Sequence, residues 1–281
     1  MAVHARTLVA ANGLAHVIEV MQGTAEEVVL PEKVDIIISE WMGYFLLRES
    51  MLDSVLVARD KWLKPGGAMY PSHARMLLAP MCGTSGRKRS QELADARDGW
   101  TDFCASTRDS FGVDMSSLTA AFVKEQTQYC LETSAWSDIS PSQLLGPPCV
   151  LTAYDLNTCT VEDIRAPQAP FTLELDETGP EGGVDAFLGW FDVDFRGSAA
   201  SPAQVAVTLD TAPEEAGSTH WGQQAFYLHP PAAARAGDVL TGTFQMMRKS
   251  ENHRLMTVRY AFQHGRGAEK GPTRECMYSI E

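Results

Sequence analysis

Hydrophobic and polar residues follow two different patterns along this chain of 281 residues, and the change comes near Ser72. Before it, short apolar runs alternate with stretches whose apolar residues recur every three or four positions, which is typical of alternating strands and helices. The predicted elements are a helix at 2–12 that ends at Gly13, strands at 17–20, 34–39 and 68–70, and a helix at 50–63. Residues 1–71 therefore predict the C-terminal half of a doubly wound, Rossmann-like α/β domain.

After Ser72 the pattern is that of short strands bounded by Gly, Pro, Asp and Asn. The predicted strands lie at 74–80, 148–155, 171–175, 186–195, 204–211, 224–228, 242–247 and 255–262. They predict an antiparallel β-barrel or sandwich over residues 72–281. Residues 84–145, between the first two of these strands, carry helical patterning instead. An insertion of this length predicts a segment with a function or an interaction of its own.

The strand at 34–39 leads to the most informative loop of the chain. Val34 and Ile36 to Ile38 show no polar alternation, which predicts a central parallel strand covered on both faces. The strand ends at Glu40, and Glu49 follows at the start of the next helix. Ligands of open α/β sheets bind outside the carboxyl ends of such strands. Two acids on one short loop repel each other, so we expect a cation between them, and a planar guanidinium suits two carboxylates.

Taken alone, the two acids have ordinary interpretations as well. Glu49 fits an acid that stabilises a helix N-terminus, and Glu40 fits an acid at the end of a strand. A pair of carboxylates followed by a β-sandwich is also compatible with a glycosidase, in which the acids flank a sugar.

Three separated motifs narrow these alternatives. They are Ser39-Glu40-Trp41-Met42-Gly43 through Arg48-Glu49-Ser50-Met51, then Ser218-Thr219-His220-Trp221-Gly222, and last Asn252-His253-Arg254-Leu255-Met256. The first resembles the double-glutamate loop of the protein arginine N-methyltransferases and the second resembles their threonine-histidine-tryptophan loop. Matching segments cover nearly the whole chain in the expected order, and they are most similar to the plant-type branch. A glycosidase leaves the second motif unexplained.

The resemblance implies an enzyme that transfers methyl groups from S-adenosyl-L-methionine to the guanidinium of protein arginines. In this family the catalytic residues would be Glu40 and Glu49, which hold the guanidinium, and His220, which takes up the released proton. Met42 and Met51 fit the members that make asymmetric dimethylarginine, the type I enzymes. No metal is implied.

Cofactor-binding residues also follow from the resemblance. Glu26 would meet the adenine amino group, with Ala25 beside it, and Met51 and Ser54 would line the cofactor pocket. On pattern alone, Glu26 would be a solvated acid, and Met51 on an apolar helix face would be a core residue.

Three aromatic residues are implied in substrate binding. Trp41 and Tyr44 would line the arginine tunnel and Trp221 would shape the substrate groove, although ordinary aromatic packing explains Trp41 and Tyr44 equally well.

The resemblance also implies elements that are not in this sequence: a Gly-rich turn that cradles the cofactor's methionine, an acid that binds its ribose, and N-terminal helices that include an aspartate partner for His220. We therefore expect an N-terminally truncated family member whose Rossmann-like domain, residues 1–71, lacks its N-terminal half. An alternative stays open, in which the chain is a non-catalytic fragment that binds Arg-rich peptides or pairs with a full-length subunit.

Partners follow from the insertion and from the charge. In the resembling family the insertion is a helical dimerisation arm that docks on a second subunit, which implies a homodimer through residues 84–145. The formal charge of −13 argues against direct binding of nucleic acid and suits Arg/Gly-rich or basic protein substrates, with histones among the candidates.

The compartment follows from the cysteines and from the hydropathy. The six cysteines are scattered without a C-x-x-C pair, which predicts free thiols in a reducing compartment. There is no apolar run long enough for a membrane span and no signal peptide, so we expect a soluble protein of the nucleus and cytoplasm without a membrane partner.

Overall fold

The computed structural model describes residues 1–179, 183–217, 219–267 and 269–281. Its helices are α1 (Ala2–Ala11), α2 (Leu52–Trp62), α3 (Ser85–Phe111), α4 (Thr119–Leu131) and α5 (Val161–Arg165). Its strands are β1 (Val34–Ile38), β2 (Leu63–Tyr70), β3 (His73–Met81), β4 (Ala135–Ser137), β5 (Cys149–Asp155), β6 (Gln168–Glu174), β7 (Val184–Gly197), β8 (Pro202–Asp210), β9 (Gln223–Ala232), β10 (Val239–Arg248), β11 (Met256–Arg266), β12 (Glu269–Lys270) and β13 (Arg274–Ile280). The predicted order, an α/β segment followed by an antiparallel barrel that holds a helical insertion, is confirmed.

The α/β segment is a single crossover unit. β1 and β2 pair in parallel, and α2 is the helix of the connection between them. Leu52, Val55 and Leu56 are the buried apolar residues of α2, and their spacing places them on one face of the helix. The chain turns to extended conformation at Leu63 directly after this helix, close to where Pro65 and Gly66 predict its end.

Two predictions for this segment are wrong. Residues 17–20 form no strand and have no strand partner, since among the described residues β1 pairs with β2 alone. β1 is also not covered on both faces, because Ile36 is 56% exposed and Ile38 is 78% exposed. The reason is that α1 buries none of its residues and so leaves these side chains uncovered.

The barrel consists of two antiparallel sheets around one apolar core. One sheet has the order β4-β9-β7-β3-β5, with β8 added on β7, and the other has the order β12-β11-β10-β6, with β13 added on β11. Every predicted strand of this region is present, and β4, β12 and β13 are additional. Aromatic rings fill the space between the sheets, with Tyr260 at 5.1 Å from Phe187 and 5.3 Å from Phe226 between ring centroids.

The insertion at 84–145, called the arm below, is a helical hairpin. α3 and α4 pack together, and the rings of Trp100 and Phe122 stack with their centroids 4.5 Å apart. The Trp100 indole donates a hydrogen bond to Thr119 Oγ1 at 2.8 Å. At the far end, residues 111–118 form the arm tip, where Phe111 is 78% exposed and Leu118 is 50% exposed.

Two arginines fasten α2 to the barrel. Arg59, which is buried, donates to the carbonyl oxygens of Leu156 at 2.8 Å and Cys159 at 2.6 Å. Arg248 of β10 binds both carboxylate oxygens of Asp53 at 2.6 Å. These contacts hold α2 against the barrel near both of its ends, at Asp53 and at Arg59.

The predicted state of the cysteines is confirmed, since all six are free thiols. In the described ranges, no helix combines the length and the apolar character that a membrane span requires.

Candidate active site

The loop between β1 and α2, residues 39–51 and called the clamp loop below, is anchored in the barrel rather than in the α/β segment alone. Phe45, Leu46 and Leu47 are buried at its centre. The ring of Phe45 lies 5.5 Å from that of Phe226 and 5.9 Å from that of Phe244, both from barrel strands. The apolar middle of the loop is therefore part of the barrel core, and it holds the two acids at its ends in place.

The backbone of the clamp loop is unusual at four positions. Phe45, Leu46, Glu49 and Ser50 have φ values of 49°, 67°, 84° and 56°. Residues with side chains seldom adopt this left-handed region, and they keep it only where the surrounding structure enforces it. The surroundings here are the barrel core beneath Phe45 and Leu46 and a barrel turn beside Glu49.

The clamp loop and the threonine-histidine-tryptophan loop together form one cavity of about 210 Å³. This is several times the ~30 Å³ share of one water molecule, so the cavity has room for the head group of a side chain. Its lining residues are Glu40, Trp41, Met42, Gly43, Tyr44, Arg48, Glu49, Met51, His220 and Trp221. All three predicted catalytic residues and all three predicted substrate-binding residues line this cavity.

Glu49 is already in contact with cations of the protein itself. Arg254 Nη2 lies 2.6 Å from Glu49 Oε2, and Arg48 Nη1 lies 3.4 Å from Glu49 Oε1. Glu40, by contrast, forms no hydrogen bond or ion pair with the side chain of any other described residue and is exposed. The sequence predicted a cation between the two acids. Among the described residues, arginines of the chain itself supply a cation to Glu49 but not to Glu40.

Arg48 belongs to the wall of the cavity. Its guanidinium lies over the ring of Tyr44, 5.3 Å from the ring centroid. Its Nε is buried and has no hydrogen-bond partner among the described residues. A buried donor without a partner costs free energy of folding. The contacts of Arg48 with Glu49 and Tyr44 therefore offset only part of the cost of burying its guanidinium.

His220 and Trp221 lie together on the opposite loop, and the centroids of their rings are 3.8 Å apart. Ser218 of the same motif lies outside the described residues. The Trp221 indole is buried and donates a hydrogen bond to the Met42 carbonyl oxygen at 2.9 Å. Trp221 therefore ties its loop to the clamp loop and positions His220 at the cavity. Trp41, which is 2% exposed, is likewise a packed residue that also lines the cavity.

The predicted cofactor residues fall into two places. Ser54 of α2 donates a hydrogen bond to Glu26 Oε1 at 2.5 Å, and Lys61 donates to the Glu26 carbonyl oxygen at 2.7 Å. The Ser54 hydrogen bond is the main reason that the pKa of Glu26 lies below its usual value. Ala25 lies in the same turn as Glu26. Met51 does not join this group and lines the cavity with the two acids.

Sequence reasoning missed the roles of three arginines. Arg48 and Arg254 contact Glu49, and Arg248 binds Asp53. Arg48 is adjacent to Glu49, and Arg254 stands in one of the motifs. The sequence therefore showed both residues, but it did not show their contacts with Glu49. The pairing of Glu49 with Arg254 joins positions 205 residues apart, and no local pattern encodes such a contact.

No cluster of metal-binding side chains lies in the described ranges. The charged and titratable groups that line the cavity include two carboxylates, the Arg48 guanidinium and one imidazole.

Comparison with known proteins gives a consistent result along the chain. Residues 91–266 match the family described as the arginine methyltransferase oligomerization subdomain. The chain is 48% identical over 265 residues to the protein arginine N-methyltransferase PRMT10 of Oryza sativa subsp. japonica, and the match covers 94% of this chain and 69% of the rice protein.

Solved structures agree with this. A crystal structure of Arabidopsis thaliana protein arginine methyltransferase 10, in a uniquely open conformation, is similar with a TM-score of 0.93 and 42% identity, over 100% of this chain and 80% of that one. The Trypanosoma brucei PRMT1 enzyme-prozyme heterotetrameric complex with AdoHcy is similar with a TM-score of 0.77 and 30% identity, over 100% of this chain and 78% of that one. Both the α/β segment and the barrel therefore have counterparts in these proteins.

Proposed function

This chain belongs to the protein arginine N-methyltransferases, a family of enzymes, and we propose that it transfers methyl groups from S-adenosyl-L-methionine to the guanidinium groups of protein arginines. The observation that carries this proposal is the cavity lined by Glu40, Glu49 and His220. Glu49 already binds a guanidinium of the chain itself, that of Arg254 at 2.6 Å from outside the cavity, so its carboxylate can form the kind of contact that a substrate arginine needs.

The two acids address the main difficulty of the reaction. Arginine stays protonated at neutral pH, so its nitrogen lone pairs are delocalised and it is a poor nucleophile. Glu40 and Glu49 would hold the guanidinium from two sides and draw positive charge toward the nitrogens that they contact. The remaining nitrogen is then free to react. Orientation together with electrostatic stabilisation can lower such a barrier by on the order of 10 kcal/mol.

His220 would accept the proton that the arginine loses. Imidazole changes its protonation state near neutral pH, which suits exchange of a proton with solvent. His220 forms no side-chain hydrogen bond with another described residue, so its ring nitrogens are available for this role.

Glu26, Ser54, Ala25 and Met51 would hold the cofactor. When bound, S-adenosyl-L-methionine supplies an electrophilic methyl group on a positively charged sulfur. The residues fit its adenine end, because a carboxylate can accept a hydrogen bond from an amino group and Ser54 holds the Glu26 carboxylate at 2.5 Å. Met51 fits the other end, since it lines the cavity beside Glu49.

We propose finer assignments as well. Met42 and Met51 favour asymmetric dimethylation, and the charge of −13 favours Arg/Gly-rich or basic protein substrates, histones among them, in the nucleus and cytoplasm. Residues 1–71 would form the cofactor-binding part, residues 72–281 the substrate-binding barrel, and the arm at 84–145 the contact with a second copy of the chain.

A second function is favoured by one observation. The Glu49 carboxylate forms an ion pair with a guanidinium of the chain itself, so the chain could bind Arg-rich peptides, or pair with a catalytic subunit, without transferring a methyl group. The two functions differ in their need for S-adenosyl-L-methionine.

Calorimetric titration of the protein with S-adenosyl-L-methionine separates them. We expect binding at micromolar concentration, followed by methylation of an Arg-Gly peptide, with asymmetric dimethylarginine after acid hydrolysis of the product. A folded protein that binds the peptide but not the cofactor would support the non-catalytic function and contradict the proposed enzyme.

A further inference from the structure

Arg254 stands on a turn of the barrel that contacts the clamp loop at three points. The Glu49 N–H donates to the Arg254 carbonyl oxygen at 2.8 Å, and Ser50 Oγ donates to the His253 carbonyl oxygen at 2.5 Å. The third contact is the ion pair of Arg254 Nη2 with Glu49 Oε2 at 2.6 Å. Main chain and side chain of one turn thus hold the same acid.

The turn itself is firmly built. Arg254 N–H donates to Asn252 Oδ1 at 3.0 Å, and Leu255 N–H donates to the Asn252 carbonyl oxygen at 3.0 Å. Lys249 N–H donates to the Leu255 carbonyl oxygen at 2.9 Å, which closes the turn between β10 and β11. Arg254 therefore reaches Glu49 from a fixed base.

The contacts from the Arg254 turn meet the clamp loop at two residues with a strained backbone. Glu49 and Ser50 have φ values of 84° and 56°, and neither is glycine. Such residues persist only where surrounding contacts enforce their backbone conformation. The contacts that enforce it at Glu49 come from the Arg254 turn, so the direction of this catalytic acid is determined by the barrel.

Arg254 approaches Glu49 from outside the cavity. Its side chain is 68% exposed, and it is not among the residues that line the cavity. Arg48 approaches from the cavity wall, and its distance to Glu49 Oε1 is longer, at 3.4 Å. Arg254 therefore binds one oxygen of the Glu49 carboxylate closely, and the other oxygen has only the longer contact with Arg48.

We propose that Arg254 is a positioning residue of the clamp, which holds Glu49 in the orientation that the methyl transfer requires. This inference rests on the proposed function, since it names a residue that acts through Glu49. It adds that the substrate-binding barrel supplies part of the catalytic geometry, through a charged residue that does not touch the substrate.

The test compares Arg254→Ala and Arg254→Lys with the unchanged protein in steady-state methylation of an Arg-Gly peptide. Displacing a catalytic group by about 1 Å can cost on the order of 100-fold in rate. We expect Arg254→Ala to lower kcat by about 10- to 100-fold, with a thermal midpoint close to that of the unchanged protein because the Arg254 side chain is exposed. Arg254→Lys should restore part of kcat.

Arg259→Ala is the matched control. Arg259 also forms an exposed ion pair, with Glu275 at 2.6 Å, and it lies five positions further along the chain. We expect its kcat and KM to equal those of the unchanged protein. Equal kcat for Arg254→Ala and Arg259→Ala would overturn the inference, and so would a loss of kcat that merely follows a loss of folded protein.

A double-mutant cycle tests whether Arg254 acts through Glu49. The affinity for the peptide should fall in Arg254→Ala and in Glu49→Gln, and the double variant should be no weaker than Glu49→Gln alone. Additive losses would contradict the inference.

A readout without turnover distinguishes this inference from the proposed function. Hydrogen exchange at the Glu49 and Ser50 amides should be faster in Arg254→Ala than in Arg259→Ala. A protein without methyl transfer would count against the proposed function alone, whereas unchanged exchange and unchanged peptide affinity in Arg254→Ala would count against the positioning role.

Discussion

At the scale of single residues, the two acids of the clamp are not equivalent. Glu49 is half-buried, has a left-handed backbone and binds Arg254, whereas Glu40 is exposed and makes no side-chain contact of this kind with a described residue. One acid is therefore fixed by the protein and the other is free to adjust to a ligand. A clamp of this kind can admit a guanidinium along the Glu40 side.

We predict that Glu40→Gln and Glu49→Gln each lower kcat by at least about 100-fold, because each removes one charge that opposes the guanidinium. Peptide methylation measures this, with circular dichroism as a check of folding. Glu162→Gln, at an exposed acid in α5, is the control and should keep full activity. Near-normal turnover in either clamp variant contradicts the assignment.

Removal of the Arg48 charge should favour substrate binding, whereas removal of either acid should disfavour the reaction. Its charge lies in the wall of a cavity proposed to take a cation, and its buried Nε has no hydrogen-bond partner among the described residues. Arg48→Gln should therefore tighten the binding of an Arg-Gly peptide, by about 3- to 10-fold, since removal of a like charge favours the guanidinium. Fluorescence anisotropy of a labelled peptide measures the affinity. Weaker binding would mean that Arg48 supports the clamp.

The Ser54 hydrogen bond sets the titration of Glu26. It lowers the pKa of Glu26, so the stabilisation from this contact is present at neutral pH and is lost as the pH falls through the pKa of the folded state. Ser54→Ala should raise the pKa of Glu26 toward its ordinary value. Carboxyl NMR titration measures this, and Ser90→Ala, at a serine in α3, should leave the Glu26 pKa unchanged. An unchanged value in Ser54→Ala would refute the contact.

At the scale of elements, the clamp loop depends on a tight turn as well as on the barrel. A Cβ at Gly43 would lie 1.8 Å from the Arg48 carbonyl oxygen, so any side chain at this position forces the two ends of the loop apart. Phe45 and Leu46, which have left-handed backbone conformations, lie within this turn. Burial of the apolar centre of the loop offsets the conformational cost of these residues.

Gly43→Ala should destabilise the protein by about 1–3 kcal/mol or more, since the new methyl group would collide with main chain rather than with a flexible side chain. Chemical denaturation measures the free energy of unfolding. Gly99→Ala is the control in α3, where a Cβ would meet no atom within 4 Å, and it should stabilise the protein by about 0.5–1 kcal/mol. Equal effects of the two substitutions would contradict this account.

The sequence predicted elements better than it predicted their environment. The barrel strands were recognisable because alternation and flanking turn residues are local signals, and α2 was recognisable from its apolar face. The coverage of β1 was not, because whether Ile36 and Ile38 are buried depends on what packs on them. The partnership of Glu49 with Arg254 was hidden for the same reason, although both residues stood in recognised motifs.

At the scale of the whole molecule, the barrel holds several parts of the candidate site in place. It holds the centre of the clamp loop through Phe226 and Phe244, α2 through Arg248, and Glu49 through Arg254. The arm extends from the same barrel and ends in an apolar tip, where Phe111 is 78% exposed. Val113 and Leu118 at this tip are exposed as well, at 47% and 50%, and a group of exposed apolar side chains is a candidate interaction surface.

If the arm joins two copies of the chain, charges at its tip should separate them. We predict that Phe111→Asp combined with Leu118→Asp converts dimers to monomers, because each charge would have to be desolvated in the interface. Size-exclusion chromatography with light scattering gives the mass. Val205→Asp is the control, since Val205 is 76% exposed on β8 and lies outside the arm. An unchanged mass of the tip variant would refute the arm as the contact.

The most direct test of the account is mass spectrometry of an Arg-Gly peptide after incubation with the protein and S-adenosyl-L-methionine, beside the same reaction with Glu49→Gln. We predict methyl groups on the peptide arginine with the unchanged protein and almost none with Glu49→Gln. No methylated arginine from a folded, unchanged protein, or equal methylation by both, would contradict it.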